Sequence, residues 1–181
     1  MTAVGVGDCK ISAKPDDTLV TYGLGSCIGL SIWDPVTRVG GLLHFMLPES
    51  QQDPAKAQAN PYLYADTGIP ALFKGAYKLG AEKKRLLVRV AGGAQVLDGD
   101  GIFNIGKRNY LAMKKIFWKA GVLIHAEEVG GNVSRTLRLE VNSGKLLVQE
   151  AGAEARELGS RTATNPPFAP VPAALSSQGG Y

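Results

Sequence analysis

The spacing of apolar residues along the chain changes period several times. "TLVTYGL", "CIGLSIW" and "VGGLLHFML", between Thr18 and Leu47, are short apolar-rich runs bounded by turn residues, and they predict three strands. Ile69, Leu72, Phe73 and Ala76 recur at i, i+3, i+4 and i+7, which predicts a helix with Asp66 or Thr67 as its cap. "RLLVRVAGG", from Arg85 to Gly93, predicts a buried strand running into a glycine turn. A second helix is predicted over Ile105 to Ala120, with Tyr110, Met113 and Phe117 on its inner face and Gly121 as its stop. "VLIHAEEV", "SRTLRLEV" and "KLLVQE" predict further strands, the last two joined at Asn142-Ser143-Gly144. Strands grouped around two principal helices predict a single-domain mixed α/β sandwich, mainly antiparallel, rather than a doubly wound sheet.

Periodicity fades from Glu150 onward, where "EAGAEARELGSRTATNPPFAPVPAALSSQGGY" turns to Ala, Gly, Ser and Pro. The expected organisation is therefore a globular domain at 1–149 and a flexible tail at 150–181, with at most a helical turn at "ARELGS". Length changes nothing in this picture, since 181 residues suit one domain.

Composition then narrows the function classes. The chain is 45% apolar and 20% charged, and no apolar run approaches the roughly 18–20 residues needed to span a bilayer. Its first residues, "MTAVGVGDCKISAKPDD", lack the basic and apolar regions of a signal peptide, so the expected compartment is the cytoplasm, with no membrane insertion. Cys9 and Cys27 are expected as free thiols, and two Cys with two His and no C-x-x-C pair do not make a zinc set. Residues 1–149 hold 18 basic and 13 acidic residues, a net +5, and the remainder is −1. Such a globule suits an acidic partner surface. Lys107, Arg108, Lys114, Lys115 and Lys119 crowd the outer side of the second predicted helix, either as a solvated face or as a dock for acidic helices; no nucleic-acid motif accompanies them. "DGDG" at 98–101 fits a turn better than a calcium loop, because the EF-hand pattern fails at Ile102 and Asn109.

Candidate chemistry centres on the predicted hairpin. Asp34-Pro35-Val36-Thr37 has the residues of a type I turn. Pairing Asp34 with Thr37 sets Trp33 opposite Arg38 and Cys27 opposite His44, with Cβ atoms ~4.5–5.5 Å apart. A slip of one residue would turn His44 to the other face, and Gly40-Gly41 has room for a bulge that changes the register. A thiol with a free pKa of ~8.5 needs a neighbouring base to act as a nucleophile, and His44 can serve Cys27 in this way. The imidazole in turn needs a group to fix its tautomer, for which Thr21 is in reach. Gly23, Gly25 and Ser26 between them can aim backbone N–H groups as an oxyanion hole. The competing reading is structural, because free cysteine is among the most buried residue types. Cys9 and His125 have no reactive partner placed by a local element.

These residues carry a resemblance. "LVTYGLGSCIGLSIWDPVTRVGGLLHFMLPES" resembles the signature of the CheD family, which places Gly-Ser-Cys before a strand and Gly-Gly-x-x-His-x-x-Leu-Pro after it. "VGVGDCKISAKPDDTL", "VRVAGGAQV", "IGKRNYLAM" and "EEVGGNVSRTLRL" are similar to further family segments, so the resemblance covers about 3–149. Ser134 stands where the family has Gly, and "QVLDGDG" replaces a more apolar segment. The resemblance implies an α/β sandwich distantly like deamidating bacterial toxins, and an enzyme that hydrolyses chemoreceptor glutamine side chains to glutamate without a cofactor or metal. It assigns the nucleophile to Cys27, the base to His44 and a supporting threonine to Thr21. Cytoplasmic helices of methyl-accepting chemoreceptors are the implied partners, with the phosphatase CheC as another, through which the family also influences CheY. An adaptor that binds CheC and a general thiol hydrolase are the alternatives.

Overall fold

The computed structural model describes residues 1–95 and 104–159. The strands are β1 (Thr2–Ala3), β2 (Asp8–Ser12), β3 (Thr18–Leu24), β4 (Ile28–Trp33), β5 (Gly40–Phe45), β6 (Leu87–Gly92), β7 (Ala126–Val129), β8 (Arg135–Glu140), β9 (Leu146–Glu150) and β10 (Arg156–Glu157). The helices are α1 (Pro54–Ala59), α2 (Ala65–Lys78) and α3 (Ile105–Ala120). One sheet runs β1-β3-β8-β9-β10 and the other β2-β5-β4-β6-β7, and only the β1–β3 and β6–β7 pairs are parallel.

The second sheet is the middle of three layers. Every residue of β4 and β5 is buried, because both faces of this strand pair are covered. Ile28, Leu30, Ile32, Leu43 and Phe45 pack with Leu72 and Phe73 of α2 and Met113 and Phe117 of α3, where Phe73 and Phe117 meet edge to face. The other face, with Trp33 and Leu42, packs against Leu19 and Leu24 of β3 and Leu137 and Leu139 of β8. In β8, which has one covered face, burial alternates residue by residue. The mixed α/β sandwich read from the sequence is the architecture found.

The hairpin register differs from the expected one. Gly29 pairs with His44 and Trp33 with Gly40. Asp34 N–H donates to Val39 O at 2.9 Å and Arg38 N–H to Asp34 O at 2.8 Å, so the loop spans Pro35 to Arg38 and Arg38 takes a left-handed conformation at φ 55°. The longer loop follows from Asp34 itself. Its fully buried carboxylate accepts from Val36 N–H, Glu82 N–H and the Arg85 guanidinium, and these bonds hold its pKa far below the usual carboxylate range despite burial. The side chain is thus committed to the Arg85 region as well as to its own turn. The resulting slip is two residues rather than one, so His44 keeps its face while Cys27 moves from its opposite to its diagonal neighbour.

Two other boundaries differ. Helix α2 starts at Ala65 behind Tyr64, and Asp66 accepts instead from Ser50 N–H and Oγ. In place of a helical turn at "ARELGS", β10 pairs antiparallel with β9, and Leu158 behind it is buried in the core between the sheets. Among the described residues, strand pairing continues past Glu150. Arg135, also buried, fastens this region through ion pairs to Glu128 and Glu150. "DGDG" and the segment after Gly159 lie outside the described residues.

Candidate active site

Alternation along β4 and β5 turns Gly29 and His44 toward the first sheet. Gly29 has no room for a side chain, since a Cβ there would stand 2.7 Å from Leu24 Cδ1 and 2.8 Å from Leu137 Cδ1. That close approach lets β3 lie near enough for a direct contact: Thr21 Oγ1 is 2.7 Å from His44 Nδ1. The Thr21 hydroxyl has one proton, and it donates that proton to Val4 O at 2.7 Å. It therefore accepts from His44, which puts the imidazole proton on Nδ1 and the lone pair on Nε2. Nε2 is buried and, among the described residues, has no hydrogen-bond partner.

Cys27 ends the bend Gly25-Ser26-Cys27 between β3 and β4, half-buried against the core between the sheets. Three outside groups pin this bend. Gly93 N–H donates to Cys27 O at 2.8 Å, Ala94 N–H to Gly25 O at 2.8 Å, and the Asn109 amide to Ser26 O at 3.0 Å. The glycine at 92 is required by two constraints at once: its φ is 112°, and a Cβ there would lie 2.2 Å from Cys27 O. The second hydrogen of the Asn109 amide reaches Met46 O at 2.8 Å, two residues beyond His44. One buried side chain of α3 therefore clasps both the thiol's bend and the end of the imidazole's strand.

Burial governs the protonation states. It pushes the His44 imidazole down to about 4 and the Cys27 thiol up, the latter opposed by a hydrogen bond from the residue's own backbone. Near neutral pH the pair rests as thiol and neutral imidazole. Among the described residues no hydrogen bond joins Cys27 to His44; such bonds commonly shorten only when substrate is bound. Cys9, on β2, is held by burial and by Asp8 up to about 12.

The structure brings Thr21, His44 and the Cys27 bend to one end of the gap between the sheets. Of the turn residues expected to donate to an oxyanion, Gly25 is already spent, because its N–H donates to Gly23 O at 2.8 Å. Ser26 and Cys27 N–H donate to no backbone carbonyl among the described residues. Gly23 sits at φ 66° where the β3–β8 register breaks between Thr21 and Leu24. Val4 and Asn109, which hydrogen-bond to Thr21 and to the Cys27 bend, were not singled out by pattern reading. Asn109 had a signal, since a polar residue falls on the inner face of an amphipathic helix one position before Tyr110; Val4 acts through its carbonyl and had none. His125 is engaged elsewhere, its Nδ1 accepting from Val88 N–H at 3.0 Å. Among the described residues no group of three or more His, Cys, Asp or Glu is placed to hold a metal, and no helix is long and apolar enough to cross a membrane.

Comparison with known proteins adds an independent line. A family model described as CheD chemotactic sensory transduction matches residues 46–150, more than half of the chain. The probable chemoreceptor glutamine deamidase CheD of Solibacter usitatus is 54% identical over 151 residues, covering 83% of this chain and 89% of the relative. The probable chemoreceptor glutamine deamidase CheD 1 of Syntrophus aciditrophicus is 51% identical over 155 residues, 86% of this chain and 97% of its own. A third, the probable chemoreceptor glutamine deamidase CheD 2 of Anaeromyxobacter dehalogenans, is 48% identical over 149 residues. With more than four fifths of both chains covered and identity around one half, the chain belongs to the CheD family.

Proposed function

We propose that this chain hydrolyses glutamine side chains of chemoreceptors to glutamate, with Cys27 as nucleophile, His44 as base and then acid, and Thr21 as the group that orients the imidazole. The observation that carries this reading is the Thr21 bridge: a hydroxyl that donates to Val4 O and accepts from His44 Nδ1 leaves Nε2 as a fixed acceptor. The names of the relatives support the substrate class. Receptor helices as substrate place the reaction in the cytoplasm.

On this reading Nε2 takes the proton of Cys27 Sγ as the sulfur attacks the carboxamide carbon. Ser26 and Cys27 N–H hold the oxyanion. The imidazolium then gives its proton to the departing nitrogen, ammonia leaves, and a thioester remains. Nε2 next removes a proton from the attacking water, the C–S bond breaks, and the imidazolium returns the proton to sulfur. The carboxamide and water have become a carboxylate and ammonium. A thiol that keeps its proton and an imidazole that stays neutral supply the acid and the base that the first step needs.

The test is incubation with the cytoplasmic fragment of a chemoreceptor, read by peptide mass spectrometry. Modified glutamines gain about 1 Da, and the gain disappears in Cys27→Ala and His44→Ala, because both halves of the acyl transfer need them. Cut chains in place of mass gain would point to a general thiol hydrolase. Untouched receptor would overturn the proposal and favour an adaptor that binds CheC.

A further inference from the structure

Helix α3 carries no acidic residue from Ile105 to Ala120, and its solvent face is organised. Leu111 is 53% exposed and Trp118 82% exposed. They stand seven residues apart, so at roughly 100° per residue they lie about 20° from one another and about 10 Å apart along the axis. Lys107 and Lys114 fall on one side of this line, and Arg108, Lys115 and Lys119 on the other. Among the described residues none of these five cations forms an ion pair; Lys114 lies over the Tyr110 ring. The outer face is thus an apolar seam between two cationic rows.

We propose that this face is an exosite that docks an acidic helix of the receptor substrate, one bearing two apolar residues about seven apart between rows of Asp or Glu; this rests on the reading of the receptor as substrate. Charge complementarity selects the occupant. Two exposed apolar residues in a matching seam supply contact area, Trp and Arg being favoured anchors, and the cationic rows supply orientation and speed of encounter. A membrane surface fits less well, because the large apolar residues Tyr110, Met113 and Phe117 are turned inward and packed, so α3 has no wide apolar face to immerse. Nucleic acid fits less well because the centre of the face is apolar where phosphate contacts would lie. Asn109 projects from the opposite side of α3 toward Ser26 and Met46, so a helix docked on the seam leaves Cys27 uncovered for a glutamine on a neighbouring part of the receptor. One helix face buries too little area for lasting attachment, which suits an enzyme that must release its product.

The experiment uses the full chain as Cys27→Ala, so that binding is measured without turnover. The chain has two tryptophans, and Trp33 is buried with its indole bonded to Val141 O, so a blue shift on adding receptor cytoplasmic fragment reports Trp118. A saturable blue shift is expected. By calorimetry, Leu111→Ala with Trp118→Ala weakens binding at least about tenfold, and Lys107→Glu with Lys115→Glu weakens it and flattens its salt dependence, with circular dichroism unchanged. Equal affinity in these variants overturns the exosite, as does absence of binding. A Trp118 shift with anionic vesicles or duplex DNA but not with receptor fragment also overturns it. Failure of the deamidase reading shows separately, as an unmodified receptor in the presence of unsubstituted Cys27.

Discussion

Thr21 and His44 belong to different sheets, and the 2.7 Å contact between Oγ1 and Nδ1 joins the two layers through polar atoms. Leu24 and Leu137 close around Gly29 beside it, so the hydroxyl sits in an apolar wall. Replacing Thr21 by Val keeps the shape but strands both Val4 O and His44 Nδ1–H. The expected loss is about 1–3 kcal/mol of stability. Deamidation slows on the order of ten- to hundredfold as the imidazole loses its fixed tautomer, less than for Cys27→Ala. Thr21→Ser should restore most of the rate, and a thermal melt with receptor mass spectrometry measures both.

Stability should fall with acid through His44. Its folded pKa of about 4 is below the ordinary 6.5, so between these values the unfolded chain binds more protons. Stability linked to this residue is present above about 6.5 and is lost as pH falls toward about 4. Denaturant titrations at pH 7 and 4.5 check this. His44→Gln, which cannot titrate, should lose less stability over that interval than the parent does.

Asn109 offers a cleaner test of positioning. The isosteric Asn109→Asp cannot donate to both Ser26 O and Met46 O, because a carboxylate has no hydrogen to give and a protonated carboxyl only one. The expected outcome is a kcat reduced about tenfold or more with KM little changed, together with altered labelling of Cys27 by iodoacetamide. Labelling unchanged from the parent would mean that the amide only fills space.

The two thiols should separate chemically. Cys9 is pushed up to about 12, whereas Cys27 is raised by burial and eased by its own backbone N–H. Iodoacetamide at pH 8 is expected to label Cys27 first, with activity lost in step, and Cys9→Ser to remain active. Tryptic mapping over time distinguishes the sites.

Truncation after Glu150 removes β10 and the buried Leu158, and truncation after Gly159 keeps them. The shorter form should melt several degrees lower, since burying one leucine contributes about 1.5–3 kcal/mol. Scanning calorimetry of both forms against the full chain decides the matter.

The sequence located most of the long elements because their apolar spacing is strong, and α3 runs over the residues predicted. Registers are harder. The Asp34 turn looked local, yet its carboxylate is bound to Arg85 and Glu82, some fifty residues away, and no local pattern records that. The face of His44 survived the misreading because strand periodicity is two and the slip was two. β10 was illegible for the opposite reason: two residues carry no period, and their place is set by a neighbour, β9, and by Leu158 behind them. Cys27 and His44 were singled out by residue chemistry, whereas Val4 contributes a backbone carbonyl that any residue could have supplied.

The burial of β4 and β5 on both faces also bears on how the molecule breathes. His44 lies on β5, and Cys27 immediately precedes β4, so the proposed base and nucleophile ride on the pair of strands that belongs to both cores. Amide hydrogens there can exchange only when both layers separate, and their exchange should report the global opening of the protein, while β1 and β10 at the sheet margin fray at far lower cost. The proposed site therefore has no private melting transition. On warming, activity and fold should vanish together.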